Sequence, residues 1–214
     1  MLAVDTSMKG AVTYRPTGQM ARRQDSRQRL VQTALRLFAS RGYYHTSIAD
    51  IVRESGCTRG ALYHYFSSKE ELGYAAIDES FRLFVEQGAA SHMATGGHPI
   101  DRLLKFVDDL PSSVKLETTG DLAAGVGARM AAVHEGFRRR VEERLNDLAN
   151  DLVGILRKGL ANGQIADSVD PRVLAHLCFI VSQGSQFADL LGQREAIWED
   201  AQHWLKEYLN SLRR

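Results

Sequence analysis

From Leu30 to Leu212 the apolar residues recur at intervals of three and four, and no segment bounded by turn residues alternates apolar with polar. That spacing lays apolar side chains along one stripe of a helix, whereas a half-buried strand needs a period of two. An all-α chain is therefore predicted. In the first helix Leu30, Ala34, Leu37 and Phe38 fall at i, i+4, i+7 and i+8, and Val31 and Leu35 widen the stripe. Asp25 or Ser26 is its expected cap, and Gly42 stops it after Arg41.

Two short helices follow in quick succession. Thr46 or Ser47 caps the first, with Ser47 and Asp50 in the spacing of a capping box, and Ile48, Ile51 and Val52 form its apolar face. Gly56 ends it, since a sharp reversal demands a positive φ that a Cβ opposes. Thr58 caps the next, which runs to about Phe66 and turns Ala61, Leu62 and Tyr65 inward. Helix, glycine turn, helix is how DNA readers clamp one helix against another and offer the second to a major groove. The outward set on that second helix is Arg59, Gly60, Tyr63 and His64, which holds donors for base edges or phosphates and no acid. Lys69 adds a cation near the start of a fourth helix, opened by Ser68 and Glu71 and expected to run to about His92.

Charge is distributed to match. The net charge of the 214 residues is only +1, but residues 1–70 carry 11 Lys and Arg against 5 Asp and Glu. The positive field is concentrated at the front. Residues 1–24, with Gly10, Pro16 and Gly18 and no apolar period, read as a flexible basic arm. Residues 25–70 read as the helix-turn-helix domain, and residues 71–214 as a helical domain for effector binding and dimerisation.

The stretch from Leu30 to Leu72, above all TSIADIVRESGCTRGALYHYFSSKEEL from Thr46, resembles the DNA-binding domain of the TetR family, the tetracycline-repressor-like regulators. Thr46, Ile51, Gly56, Leu62, Tyr63, Phe66 and Lys69 fit the family pattern; Val52 and Cys57 depart from its commoner Ala and Val. The resemblance implies base-edge contacts from Arg59, Gly60 and His64, and phosphate contacts from Ser47, Thr58, Tyr63, Tyr65 and Lys69. It also implies a C-terminal helical domain that dimerises through its last two long helices and encloses an effector pocket. The expected function is a cytoplasmic, homodimeric transcriptional regulator, a repressor released from a palindromic operator in double-stranded DNA by a small-molecule effector. The alternative is a helical ligand-binding or protein-interaction module that does not bind DNA.

Behind the head the pattern predicts helices over Ile100 to Leu110, a segment reaching about Val133, then Glu135 to Ala161, Pro171 to Leu191 and Arg194 to Leu212. Phe81, Phe84, Phe106 and Met130, with His134, Phe179, Gln183 and Phe187, are candidates to line the pocket, because such sites are mainly apolar with a few placed polar groups. Small residues on the penultimate helix (Ala175, Ser182, Ser185) and an apolar stripe on the last (Trp198, Trp204, Leu205, Leu209) are candidates for the dimer interface. The basic run Arg138, Arg139 and Arg140 reads as a solvated face pairing with Glu142 and Glu143.

Other classes lack their signatures. The seven histidines show no metal-ligand spacing and neither Cys57 nor Cys178 has a CxxC partner, so free thiols and no metal or cofactor are expected. No Walker loop, nucleophile elbow or dinucleotide fingerprint occurs, which argues against an enzyme. No apolar run approaches the ~18 residues of a membrane span, and no membrane partner is expected.

Overall fold

The computed structural model of the protein describes residues 18–87, 89–110, 121–190 and 198–214. Over these the chain is all-α: helices α1 (Gly18–Arg41), α2 (Ile48–Ser55), α3 (Arg59–Tyr65), α4 (Lys69–Gln87), α5 (Pro99–Asp109), α6 (Asp121–Ala131), α7 (Glu135–Ala161), α8 (Pro171–Leu190) and α9 (Glu199–Ser211), with a 3₁₀ segment at Ala89–Ala94. Among the described residues the only β pairing is an isolated bridge between Ile165 and Arg213, and no helix is long and apolar enough to cross a membrane.

The expected caps set the geometry of the head. Ser47 accepts a hydrogen bond from the Asp50 amide while the Asp50 side chain accepts from the Ser47 amide, a complete capping box on α2. Gly56, at φ +65°, turns the chain out of α2, and the Cys57 amide donates to Ser55 Oγ across the turn. Thr58 then caps α3 by accepting from the Ala61 amide at 3.1 Å. The Thr46 hydroxyl, buried, donates to the Gly42 carbonyl at 2.9 Å and so ties this assembly to the end of α1.

Helix α1 starts earlier than its apolar period indicates. It begins at Gly18, so the last seven residues of the expected arm are helical, and residues 1–17 lie outside the described residues. Asp25 stands inside the helix, where its carboxylate pairs with Arg29 one turn on. The polar composition of 18–29 gives no stripe to read, yet after Gly18 it contains no Gly or Pro to interrupt a helix. At the other end of the head, α4 stops at Gln87 and does not continue to His92; the 3₁₀ segment takes over and buries Ala90.

Two apolar cores result. The first joins Leu30, Leu37 and Phe38 of α1, Ile51 of α2, Leu62 of α3 and Ile77 of α4 to Val126 and Met130 of α6 and Phe137 and Val141 of α7. The second joins Ile100, Leu103 and Val107 of α5, Leu156 of α7, Leu174 and Cys178 of α8 and Leu205 and Leu209 of α9. The head thus shares one core with α6 and the first third of α7, and that core does not divide at residue 70.

Close approach of α4 and α7 depends on a missing side chain. A Cβ built on Gly73 would lie 2.7 Å from Phe137 Cζ, well inside van der Waals contact, whereas one on Gly154 of α7 would meet nothing within 4 Å. Substitution by alanine should therefore act with opposite signs. Gly73→Ala is expected to lower stability by about 1–3 kcal/mol through overpacking, and Gly154→Ala to raise it by about 0.5–1 kcal/mol through helix propensity. Thermal unfolding followed by circular dichroism would separate them by several degrees in opposite directions.

Candidate nucleic-acid interface and an apolar cavity

On α3 the buried residue is Leu62, and the opposite side carries Arg59, Gly60, Tyr63 and His64, all exposed, with Thr58 exposed at the cap. The Arg59 guanidinium stands 5.7 Å from the Tyr63 ring centroid, so the two side chains form one projecting unit. The neighbouring cations are neutralised by acids: Arg36 and Arg41 share Glu54 at 2.6 and 2.8 Å, and Arg53 pairs with Asp50 at 2.5 Å. Arg59 has no ion pair with a carboxylate among the described residues, and neither has Arg27, whose guanidinium lies 5.3 Å from the Phe66 ring centroid. His64 stacks edge-on to Tyr65 at 5.0 Å.

The residues expected at phosphates divide. Ser47 is exposed, but its hydroxyl donates to Asp50 Oδ2 at 2.6 Å, and the hydrogen bonds from Ser47 together with Arg53 hold the Asp50 carboxyl well below the usual carboxylate range. Tyr65 is half-buried and packs against the first core. Lys69 departs furthest from expectation. Its ammonium donates to the Tyr43 carbonyl at 2.6 Å and lies 4.1 Å from the Tyr43 ring centroid, and burial lowers its pKa. The side chain therefore pins the start of α4 to the turn between α1 and α2 instead of projecting toward a ligand.

That turn is where the head meets the rest of the chain, through residues the sequence did not single out. Tyr43 packs on Phe38 and Phe137, and burial pushes its hydroxyl up to about 12. The Tyr44 hydroxyl donates to the Val133 carbonyl at 3.0 Å, and Arg129 of α6 donates to the Ala39 carbonyl of α1 at 3.1 Å. An adjacent tyrosine pair directly after the helix-ending Gly42 was the available signal.

A cavity of about 520 Å³ opens between α4, the 3₁₀ segment, α5, α7 and α8. Of the side chains expected to line it, Phe84, Phe106 and Phe179 do. Phe81 and Met130 do not; both are buried in the first core. His134 does not either: it sits at the N-cap of α7, its ring 4.7 Å from Phe137 and its Nε2 3.8 Å from Glu70. The lining instead takes Leu145, Leu148, Leu152 and Ile155 from α7, Met93 from the 3₁₀ segment and Cys178 from α8. Cys57 and Cys178 are free thiols, and burial pushes that of Cys178 up to about 12.

The expected interface residues are redistributed as well. Ala175 lines the cavity, and Trp198, Leu205 and Leu209 lie in the second core, each under 5% exposed within the single chain. A stripe of spacing three and four shows which side of a helix is apolar but not what covers it; here α5 covers α9. Trp204 alone of that group is open to solvent, stacked on Tyr208, while Val173 and Ile180 of α8 are each about two-thirds exposed. Ser182, Ser185, Gln183 and Phe187 have side chains outside the described residues. Arg138, Arg139 and Arg140 pair with Glu135, Glu142, Glu143 and Asp78, as a solvated face should.

A three-helix head with a capped and exposed second helix of a helix-turn-helix, set on a helical body, has the architecture of a helix-turn-helix DNA-binding protein. Residues 30–75 match the family model for bacterial regulatory proteins, tetR family. The chain is 37% identical over 89 residues to the uncharacterised HTH-type transcriptional regulator YxaF of Bacillus subtilis, an alignment covering 41% of this chain and 46% of YxaF. It superposes on a TetR transcriptional regulator from Chloroflexus aurantiacus J-10-FL with a TM-score of 0.76 at 26% identity, over 91% of this chain and 99% of that one. It shares its fold with the Bacillus subtilis regulator FadR in complex with stearoyl-CoA, at a TM-score of 0.68 and 18% identity, over 85% of this chain and 96% of that one. In sequence the chain spans about half the length of the curated relatives it matches. Over residues 30–75 the chain matches the tetR family, and over most of its length it shares the fold of a TetR transcriptional regulator.

The position of Lys69 gives a test of its role. Lys69→Met keeps the stem but removes a charge-assisted hydrogen bond and a cation–π contact, and because the ammonium is partly solvated the expected loss is about 1 kcal/mol of stability. Urea titration of the variant measures it; unchanged stability with only DNA affinity reduced would return Lys69 to the phosphate-contacting set.

Proposed function

We propose that the chain is a sequence-specific DNA-binding transcriptional regulator, a homodimer that represses from a palindromic operator and lets go when a small molecule enters its helical body. The observation that carries this reading is the outward set of α3, with Arg59 and Tyr63 joined and without an acid partner for the guanidinium, on a helix locked at its cap by Thr58 and at its inner face by Leu62. Arginine is the side chain best suited to guanine in the major groove, and an exposed tyrosine beside it suits a phosphate oxygen. The absence of a competing carboxylate removes the chief obstacle to either contact.

Two further observations support the rest of the reading. The cavity has the volume and apolar lining usual for small-molecule sites, about 300–1,000 Å³. FadR, of the same fold, holds stearoyl-CoA. The exposed Val173, Ile180 and Trp204 on the last two long helices are large apolar side chains that a second copy would cover, and a C2 dimer would set two α3 helices about 34 Å apart, one turn of DNA.

Duplexes selected from a random pool by the purified chain supply the test. Footprinting should show two half-sites one helical turn apart, and affinity should fall steeply with salt. Arg59→Ala and His64→Ala should each weaken the selected site about 10- to 100-fold while relaxing preference at particular base pairs. A chain that selects nothing, or whose selected site is indifferent to both substitutions, would overturn the proposal.

A further inference from the structure

The lining of the cavity constrains the charge of what it can hold. Its interior is hydrocarbon, aromatic and thioether: Phe84, Phe106, Met93, Leu148, Leu152 and Ile155. Among the described residues the polar side chains of the lining, apart from the buried Cys178 thiol, are Asn146 and Asp151 of α7 and His176 of α8, all exposed at the rim. Among the described residues no lysine or arginine lines it. An anionic ligand would have to give up water with no lysine or arginine of the described lining to receive it, beside a carboxylate that repels it.

Asp151 differs from every other acid on its helix. Glu135 pairs with Arg138 and Arg139, Glu142 with Arg138, Glu143 with Arg140 and Asp147 with Arg144. Asp151 has no such partner among the described residues, and the positions three and four away are Asp147, Leu148, Gly154 and Ile155, none of them a cation. Among the described residues, the one carboxylate of α7 without a cationic partner is thus the one that borders the cavity. Three phenylalanines, Phe84, Phe106 and Phe179, also border it, and the faces of aromatic rings attract cations that have shed water.

We propose that the ligand of this cavity is a lipophilic monocation, a bulky apolar or aromatic body that fills the interior with its positive group held at the rim by Asp151. The inference deepens the proposed function and rests on its assignment of the cavity as the effector site. Phe106 and the α7 leucines bind the body through apolar burial without regard to charge. Asp151 supplies the selection, favouring a cation and rejecting an anion of the same shape.

Tetraphenylphosphonium and tetraphenylborate have nearly the same size and shape and opposite charge, and Nile red is an uncharged apolar probe. Equilibrium dialysis of the full chain against each, at pH 7.5, reads the selection. The phosphonium is expected to bind at least tenfold more tightly than the borate. Asp151→Asn should bring the two within about threefold of each other and leave Nile red binding unchanged, which also shows that the variant is folded. Borate binding as tight as phosphonium, or a preference that survives Asp151→Asn, would overturn the inference. Nile red binding without phosphonium binding would overturn it while the cavity remains an effector site; if no probe binds, the effector reading falls with it.

Discussion

The ring of Phe137 is the contact on which the rest of the molecule depends. It is fully buried, and its centroid lies 4.8 Å from that of Tyr43, 5.1 Å from Tyr74 and 4.7 Å from His134. Those three side chains belong to the turn after α1, to α4 and to the start of α7, so one aromatic group from the body of the chain holds the head in place. The contact exists because Gly73 has no side chain where the ring edge arrives. Around it Lys69 closes the turn from below, and Tyr44 and Arg129 bond across the same junction through backbone carbonyls. A head attached in this way does not pivot freely on a linker; its orientation follows that of α6 and α7.

Helix α7 extends this logic toward the cavity. Its 27 residues span about 40 Å at 1.5 Å each. Phe137 and Val141 lie in the first core, Leu145 to Ile155 line the cavity, and Leu156 lies in the second core. One rigid element therefore touches the head, the cavity and the far core in turn. In the proposed regulator, a ligand that fits better when α7 is displaced would be felt at the Phe137 junction, and the spacing of two heads in a dimer would shift with it. Packed cores respond to such displacements by switching between arrangements more readily than by bending.

The parts legible in sequence were those fixed by local chemistry. Ser47 with Asp50, Gly56 and Thr58 are satisfied by backbone groups within three or four residues, so the caps and turn of the head could be read directly from their spacing. Lys69 could not, because the carbonyl it binds belongs to Tyr43, 26 residues earlier. The same limit explains the C-terminal half. The apolar stripe of α9 was plain, yet its cover is α5, about a hundred residues away, so Trp198, Leu205 and Leu209 prove to be core while Trp204 stays exposed. The aromatic side chains divide on the same ground: Phe84 and Phe106 reach the cavity and Phe81 does not, although Phe81 and Phe84 are three residues apart on one helix. The start of α1 was hidden for a different reason, since a polar helical turn leaves no apolar period to detect.

Native-state hydrogen exchange on Phe137→Ala addresses the attachment of the head most directly, because amide protection reports local opening segment by segment. If the ring holds head and body in one cooperative unit, the amides of α2 and α3 should lose protection together with those of α6 and the first turns of α7. Protection of α2 and α3 that stays at its native level while α6 and α7 open would contradict the account, since the head would then stand on its own core.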